Sequence, residues 1–487
     1  MALPPNILAG IIHIGIYLFI LCTCGILPGI FVIFALYKLA DILLWKFFNV
    51  KIMRGTDVIM YLEEPKNTTI CTCALILDKN EKSKKDLDGQ DHYTHLREKY
   101  LINHFGAHNE VFRSVMIEKF GMKFWKVLPD TPKTKKITGN RIKKIDHDMK
   151  TEEDLVKYLL KFSEIPMPRG ELQWDLHVHE NYKDDKMVMF ARAHHGILDG
   201  MGTMCFLSSI DGNSNMPAIP EMKDISFSLK ALLFVISPIL FVYSLFIDIS
   251  VKNDPSPYTL KSGYSGKKAL EISKTYHFDQ LRKCYKSYNN AKFNDFFVGC
   301  IGKGMKQYAK ELGYPDFQTI GVGVPVNLRP LPKDLEVPLP LQNCIGLGEC
   351  EFPCSDDLQD GMKRGRKVLQ DRFKVSLMWS SQNIQALLKF MPNALNDMLI
   401  KILSKSGQMV VSNISGLKQQ ITIGKYLMSD SYFITPNVFK AGISILGVTY
   451  NSKFRYCVYQ DAGLEAKASK TMENIEKVIE QEIEKVK

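Results

Sequence analysis

A chain of 487 residues exceeds one ordinary hydrophobic core, so two domains or subdomains are expected. With 46% hydrophobic and 24% charged residues, the composition suits a folded protein with apolar additions. The formal net charge of +11 admits nucleic acid, an anionic membrane or an anionic ligand, but the basic residues are scattered and form no DNA- or RNA-binding motif, which removes nucleic acid from the partners. Eleven cysteines show no small-scaffold spacing and read as reduced, buried thiols. Cys344, Cys350 and Cys354 cluster without the paired CxxC spacing of a zinc site.

In chain order, Ile7 to Tyr37 carries no Asp, Glu, Lys or Arg and exceeds the roughly 20 apolar residues that span a bilayer. It is too long for a signal peptide and has no basic start. Gly25 and Pro28-Gly29 interrupt it, so one kinked span and a hairpin within one leaflet both fit. Lys38, Lys46, Lys51 and Arg54 follow, whereas Met1 to Asn6 has no basic side chain, which directs the remainder of the chain to the cytosol. The soluble part opens at Gly55–Glu63, and Ile70–Leu77 reads as a strand. Glu81–Asp86 is a charged loop, Tyr93–Phe112 a helix, Lys133–Lys144 a basic solvated loop and Glu152–Phe162 a helix. His177 and His179 share one face of the strand after Trp174. They are expected at solvent-exposed positions on an edge strand rather than as metal ligands.

The strand-like Lys186–Arg192 runs into His194-His195-x-x-x-Asp199-Gly200, and a helix starts just beyond. A pair of histidines therefore stands where a strand becomes a loop, a place suited to aiming one imidazole into a cleft. Histidine is the usual general base near neutral pH, and an alcohol or amine attacking a carbonyl must lose a proton. Asp199 fits either a triad or a brace that holds the loop through an ion pair. No third ligand lies nearby and His-Glu-x-x-His is absent, so no metal is expected.

Ile219–Tyr258, with four prolines, connects the halves. Its apolar run Ala231–Ile247 fits a second membrane contact, a hydrophobic cover for a tunnel, or a buried helix. The second half starts near Lys268. Asn294-Asp295 caps a helix that runs to Leu312, in which Gly299, Gly302 and Gly304 form no phosphate loop and serve close helix packing. Ile320–Pro330 is a strand ending in a polar turn with Asn327 and Arg329. Asp356–Leu369 and Leu387–Ser404 read as helices, Gly442–Asn451 and Lys453–Gln460 as a hairpin, and Lys470–Lys487 as a charged, solvated helix.

The His-His-x-x-x-Asp-Gly motif at 194–200 resembles the signature of CoA-dependent acyltransferases, a superfamily that includes chloramphenicol acetyltransferase and peptide-synthetase condensation domains. Several blocks between Gly55 and Asp461 narrow the resemblance to the wax ester synthase / diacylglycerol acyltransferase family. These are the opening turn and strand at 55–77, Ile145–Asp148 (which resembles a short strand of the family), Leu172-Gln173-Trp174, Asn294-Asp295, Val326-Asn327-Leu328-Arg329, Gln342-Asn343 and Ser412-Asn413-Ile414-Ser415-Gly416. Gln173, Gln342 and Ser415 depart from the family's usual residues.

The resemblance implies an α/β fold of two chloramphenicol-acetyltransferase-like halves around a central channel, plus an N-terminal membrane segment. The expected organisation is a membrane anchor over 1–50, an acyltransferase half over 54–216, a hydrophobic linker over 217–267 and a second half over 268–487. It implies transfer of a long acyl chain from acyl-CoA to a lipid alcohol (a fatty alcohol or diacylglycerol) by an enzyme at a membrane, at the cytosolic face of the endoplasmic reticulum, without metal or cofactor. His195 is the general base in this reading. His194 shapes the loop, Asp199 pairs with Arg329, and Gly200 lets the helix start tightly. Trp174, Asn294, Asn327, Ser412 and Asn413 are expected to contact substrate. A lipid-binding protein without catalysis, and an acyltransferase for a small alcohol or amine, are the other readings.

Overall fold

The computed structural model describes residues 27–487 except 54, 62, 80–83, 85–86, 88, 107–109, 184, 212–225, 290, 330–342, 374–390 and 404–406. In chain order the strands are β1 (Val50–Ile52), β2 (Ile70–Asp78), β3 (Ser114–Lys119), β4 (Met122–Val127), β5 (Ile142–Lys144), β6 (Trp174–Tyr182), β7 (Lys186–His194), β8 (Lys268–Ile272), β9 (Tyr276–His277), β10 (Thr319–Asn327), β11 (Ile345–Pro353), β12 (Met409–Ile414), β13 (Thr422–Ile423), β14 (Tyr426–Ile434), β15 (Ile443–Tyr450) and β16 (Lys453–Asp461). The helices that matter for the site and its surroundings are α1 (Leu27–Phe48), α2 (Gly55–Met60), α3 (Glu152–Glu164), α4 (Gly200–Asp211), α5 (Phe227–Ser250), α6 (Phe293–Glu311), α7 (Leu358–Arg372), α8 (Asn393–Leu403) and α9 (Ala468–Lys485).

Two large sheets carry the mixed α/β fold. The first has the order β13-β14-β2-β7-β6-β5 and the second β11-β10-β12-β15-β16-β8, with β9 also pairing β16. Each sheet backs its own apolar core. Phe190, Leu75 and Val178 are sealed in the first, and Ile301, Ile320 and Val458 in the second. The division is not linear along the chain. After β12 the chain leaves the second sheet, adds β13 and β14 to the edge of the first, and returns as β15. Strands 422–434 of the second half thus belong to the first half's sheet, and the exchange ties the two together across the space between them.

Local rules account for many of the elements. Thr151 and Asp154 form a reciprocal capping box at the start of α3, where the sequence predicts a helix. On α6, a methyl group at Gly304 would lie 2.7 Å from the backbone of Ile475 on α9, and one at Gly302 would lie 2.3 Å from the Pro353 carbonyl. The glycines serve close packing, as the sequence suggests.

Several expectations are corrected. Residues 132–140 form a helix, opened by the Thr131 cap and a proline at its first turn, and 142–144 form β5; the segment is not a solvated loop, and the short strand lies before Ile145 rather than at 145–148. Because β5 pairs with β6 in parallel, β6 is not an edge strand. His179 is buried, and the half-buried His177 bonds the Tyr158 hydroxyl at 2.6 Å. Helix α9 is solvated on one face only. Ile475, Val478 and Ile479 on its other face are buried against the second core.

The expected anchor over 1–50 falls partly on residues 1–26, which lie outside the described residues, as do most of the charged loop at 81–86, the linker's first residues 217–225, Gln342 and the start of the helix expected at 387–404. Residues 27–48 form α1, which carries Lys38, Asp41 and Lys46. Among the described residues no helix is long and apolar enough to cross a membrane, so the membrane segment gains no span.

Candidate active site

A cavity of about 650 Å³ lies between the two sheets, lined by β2 and β7 of one and by β10 and β12 of the other. His195 sits at its wall, just past the end of β7, and is 9% exposed. Its backbone N–H donates to the Thr69 carbonyl at 2.8 Å, which locks the loop to the start of β2.

The ring is held by Asn343, just ahead of β11 in the second half. Asn343 Nδ2 donates to the His195 carbonyl (2.7 Å) and to Asp57 Oδ1 (2.9 Å). Reversing the amide would set its carbonyl oxygen against two acceptors, so Asn343 Oδ1 must be the atom 3.2 Å from His195 Nδ1. The network therefore assigns the proton to Nδ1 in the neutral ring and leaves the lone pair on Nε2. Asp57, buried on α2, is held in turn by Trp125 Nε1 at 3.5 Å. Burial opposes the charged ring, but Cys71, through charge and a hydrogen bond, then the ring's own backbone and Asp199 outweigh it and raise the His195 pKa to about 9.

His194 faces away from this network. It takes the Gly196 N–H at Nδ1 (3.0 Å), presents Nε2 to Glu63 at 3.3 Å and stacks on Tyr61 with centroids 3.7 Å apart. Glu63 also accepts from the Thr69 N–H at 2.8 Å. Burial would raise the Glu63 pKa, but the bond and charge of His194 and the Thr69 N–H bring it below its usual value. These contacts tie the His194 side chain to Tyr61, to Glu63 and to the loop's own Gly196.

Asp199 and Arg329 form the expected pair, Oδ1 to Nη2 at 2.7 Å, with Arg329 1% exposed. Asp199 also accepts from the Gly202 N–H (2.8 Å) and from the Cys344 N–H (2.7 Å). One carboxylate thus caps the start of α4, pairs with the turn after β10 and binds the chain beside Asn343. It braces the loop; His195 Nδ1 is bonded to Asn343, not to a triad carboxylate. A methyl group at Gly200 would lie 2.2 Å from Ile414 Cδ1 on β12, so a side chain here would push the end of Ile414 aside where the two halves meet.

The substrate-contact residues expected from the sequence all line the cavity: Trp174, Asn294, Asn327, Ser412 and Asn413. Trp174 is buried in an aromatic cluster with Phe105 and Phe112 and donates to the Phe112 carbonyl at 2.8 Å. Asn413 Nδ2 donates to Asn294 Oδ1 at 2.5 Å. Arg329 Nη1 occupies Asn327 Oδ1 at 3.0 Å, and the buried Asn327 Nδ2 has no partner among the described residues. It is a fixed donor on the cavity wall. Gln173, one of the family departures, is structural: its Nε2 donates to the Pro168 carbonyl at 2.8 Å.

Sequence reasoning missed Asn343, Asp57 and Cys71 as parts of the site. Asn343 and Asp57 stand in blocks the resemblance picks out, but no local spacing links either to His195. Asn343 lies 148 residues from His195 and is joined to Asp57 across 286.

The fold is a mixed α/β, two-sheet fold similar to that of acyltransferases and condensation domains of known structure. The wax ester synthase/diacylglycerol acyltransferase from Marinobacter aquaeolei VT8 is 13% identical, with 89% of this chain and 99% of that one covered and a TM-score of 0.58. The TRI3 trichothecene 15-O-acetyltransferase from Fusarium sporotrichioides is 9% identical, with 88% and 94% covered and a TM-score of 0.65. The starter condensation domain of rhizomide synthetase RzmA, a mutant solved with C8-CoA and Leu-SNAC, is 9% identical, with 90% and 94% covered and a TM-score of 0.56. These likenesses establish the fold. No curated protein sequence matches the chain. Residues 341–482 match the family model of the WS/DGAT C-terminal domain. That match gives residues 341–482 the C-terminal domain of the wax ester synthase / diacylglycerol acyltransferase family, which together with the fold supports an acyltransferase enzyme.

Proposed function

We propose that this protein is a long-chain acyl-CoA:alcohol O-acyltransferase that makes neutral lipids, wax esters or triacylglycerol, at a membrane surface. The observation that carries this reading is the His195 ring, pinned at Nδ1 by Asn343 with Nε2 left free at the wall of a largely apolar cavity. The acyl chain of the CoA thioester lies in the cavity. Nε2 takes the hydroxyl proton as the alcohol oxygen attacks the thioester carbon, and the departing CoA thiolate receives that proton. Asn327 Nδ2, held by Arg329, donates to the carbonyl oxygen as it becomes an oxyanion. Both substrates meet at one base, so positioning and these donors do the work, and no step falls to a metal or cofactor. The acyl-CoA donor is supported by the family and by the C8-CoA bound to the related condensation domain.

The membrane part of the reading rests on a run of exposed apolar side chains. Leu36, Leu39 and Phe47 on α1, Ile239 and Phe246 on α5, and Met398 on α8 all face outward. The β3–β4 hairpin joins α1 and α8: Met122 takes the Tyr37 hydroxyl, and the Gly121 carbonyl takes the Asn393 N–H. Phe120, at the tip of that hairpin, is 97% exposed. A monotopic patch of this kind at the cytosolic face of the endoplasmic reticulum would receive a lipid alcohol directly from the bilayer.

The test is CoA release by membranes carrying the wild type or His195→Ala, given palmitoyl-CoA with hexadecanol or with diacylglycerol. The expected result is release by the wild type that needs acceptor and is lost in the variant, with the better acceptor naming the product. Equal rates from the two proteins would remove His195 as the base.

A further inference from the structure

The cavity face of the first sheet is graded from small side chains to large ones. In the antiparallel register of β2 and β7, Cys71 stands opposite Ala193, Cys73 opposite Ala191 and Leu75 opposite Met189. Side chains alternate along a strand, so these six share one face, and all six line the cavity. The first two rungs are small on both strands, and the third is large on both. Burial follows size: Cys71, Ala191 and Ala193 are half-buried, whereas Leu75 and Met189 are each 1% exposed. The neighbouring strands complete a trough. Across the second rung, Phe433 of β14 pairs with Cys73, and Leu176 of β6 pairs with Ala191. Both of these larger side chains line the cavity, so a floor of Cys73 and Ala191 runs between two walls. Protein interiors are close-packed, and small side chains on both strands of an inner sheet face leave space for something to fill.

The trough has a direction. It begins at Ala193, two residues before His195, and ends at Met189, a run of about 13 Å at the strand rise of about 3.3 Å per residue. One leaflet supplies about 15 Å of the roughly 30 Å hydrocarbon core of a bilayer, so a chain of ordinary membrane length is the right size for it. The margin of the cavity is polar instead. Asn294 and Gln370, both exposed, and Asn413, bonded to Asn294, line it from the second half. In an acyl-CoA the thioester joins a polar arm to an apolar one. With the thioester at His195, the CoA arm leaves toward the polar margin and the chain runs inward along the trough, because burying the polar arm there would strip it of hydrogen bonds.

We infer that the acyl chain of the donor lies along this trough, and that Leu75 and Met189 at its closed end set the longest chain the protein transfers. This rests on the acyl-CoA reading above. The two residues touch no reacting atom. They select among donors by length, and the preferred donor carries a chain of membrane length.

The experiment measures alcohol-dependent CoA release by membranes carrying the full-length protein, first with octanoyl-, palmitoyl- and arachidoyl-CoA, then with palmitoyl-CoA and alcohols of increasing length. The wild type is expected to have its highest kcat/KM with palmitoyl-CoA and to lose roughly tenfold or more with arachidoyl-CoA, as an apolar pocket discriminates by methylenes. Met189→Ala opens the closed end and should raise the arachidoyl-to-palmitoyl ratio about tenfold. Ala191→Leu fills the floor midway and should lower the palmitoyl-to-octanoyl ratio about tenfold. Neither variant should move the alcohol profile. Each comparison is a ratio within one protein, so a variant that folds in lower yield still reports, and the wild-type series needs no variant. A wild type that uses arachidoyl- and palmitoyl-CoA alike overturns the inference, as do variants that keep the wild-type ratios. A shift in the alcohol profile in place of the donor profile also overturns it and gives the trough to the acceptor. No CoA release by the wild type with any donor and alcohol would instead remove the acyl-CoA reading, and this inference with it.

Discussion

His194 and His195 are neighbours in the chain, yet different parts of the molecule hold them. His194 is clamped from its own half, by Glu63, Tyr61 and the Gly196 N–H. His195 is oriented from the other half, by an asparagine that reaches across the cavity and is itself held by Asp57. The local clamp fixes where the loop sits. The long-range clamp fixes which nitrogen carries the proton, and so which one can act as a base. Closing the two halves on each other is therefore what arms the site.

The largest test of this contrast replaces each histidine by alanine. His195→Ala is expected to lower alcohol-dependent CoA release by about 10²- to 10⁴-fold, with its unfolding compared above about pH 9, where the neutral ring contributes no charge-linked stability. His194→Ala should show the opposite balance. It strips Glu63 of its partner and Tyr61 of its stack, at a cost of about 1–3 kcal/mol, and retains a measurable share of turnover. Equal loss of activity with equal loss of stability in both variants would erase the division of labour. Denaturant unfolding beside the CoA assay separates the outcomes.

Arg329 comes next, because its pair with Asp199 joins the base-bearing loop to the second half. Arg329→Ala leaves a buried carboxylate without its guanidinium and should cost about 3–5 kcal/mol, read as a drop in the denaturation midpoint. Arg329→Lys should not restore the wild type, since Nη2 binds Asp199 while Nη1 holds Asn327, and one ammonium cannot reproduce that fork. A lysine variant with normal stability and kcat would mean that the charge alone is needed.

Asn343→Ala sharpens the comparison most directly. It leaves His195 in place but removes the group that fixes its tautomer. The expected loss is in kcat, roughly tenfold or more as part of what a positioned base contributes, with KM for acyl-CoA near wild type and stability lower by about 1–3 kcal/mol, because Asp57 and the His195 carbonyl lose their donor. A change confined to KM would make Asn343 a substrate contact instead.

What the sequence made legible follows the same line. The motif at 194–200 made His195 the candidate base because it stands at a strand end, and left Asp199 open between a triad member and a brace. The Arg329 partner came through the family resemblance rather than from spacing. The glycines of α6 were readable because three small residues recur on one helix. Asn343 was not readable as part of the site: its contacts with Asp57 and His195 arise only when the halves close. The two-sheet fold followed from the resemblance, but the exchange of β13 and β14 into the first sheet has no local signal. Nor did the polarity of Lys133–Lys144 reveal a helix, since its cap and opening proline outweigh a run of lysines that packing never has to bury. The buried face of α9 was hidden by the charges on its other side.

The smallest effect concerns pH, and it sets the two roles of His195 against each other. The folded ring titrates near 9, above the ordinary value of about 6.5. Its charged form is therefore favoured by folding, so the stability it contributes is full below about pH 6.5 and is lost as the pH rises through 9. Catalysis runs the other way, because only the neutral ring can accept the hydroxyl proton. Between about pH 6.5 and 9 the wild type should lose stability relative to His195→Gln, while kcat/KM climbs toward a plateau above about 9. Against the opposing effect of burial, Cys71 is the first group that raises this ring. Cys71→Ser should move the rise in kcat/KM to lower pH and flatten the stability difference over the same window. An unshifted profile in that variant would mean that the imidazole is poised by Asp199 and the ring's own backbone alone, and that the thiol beside it is electrically silent.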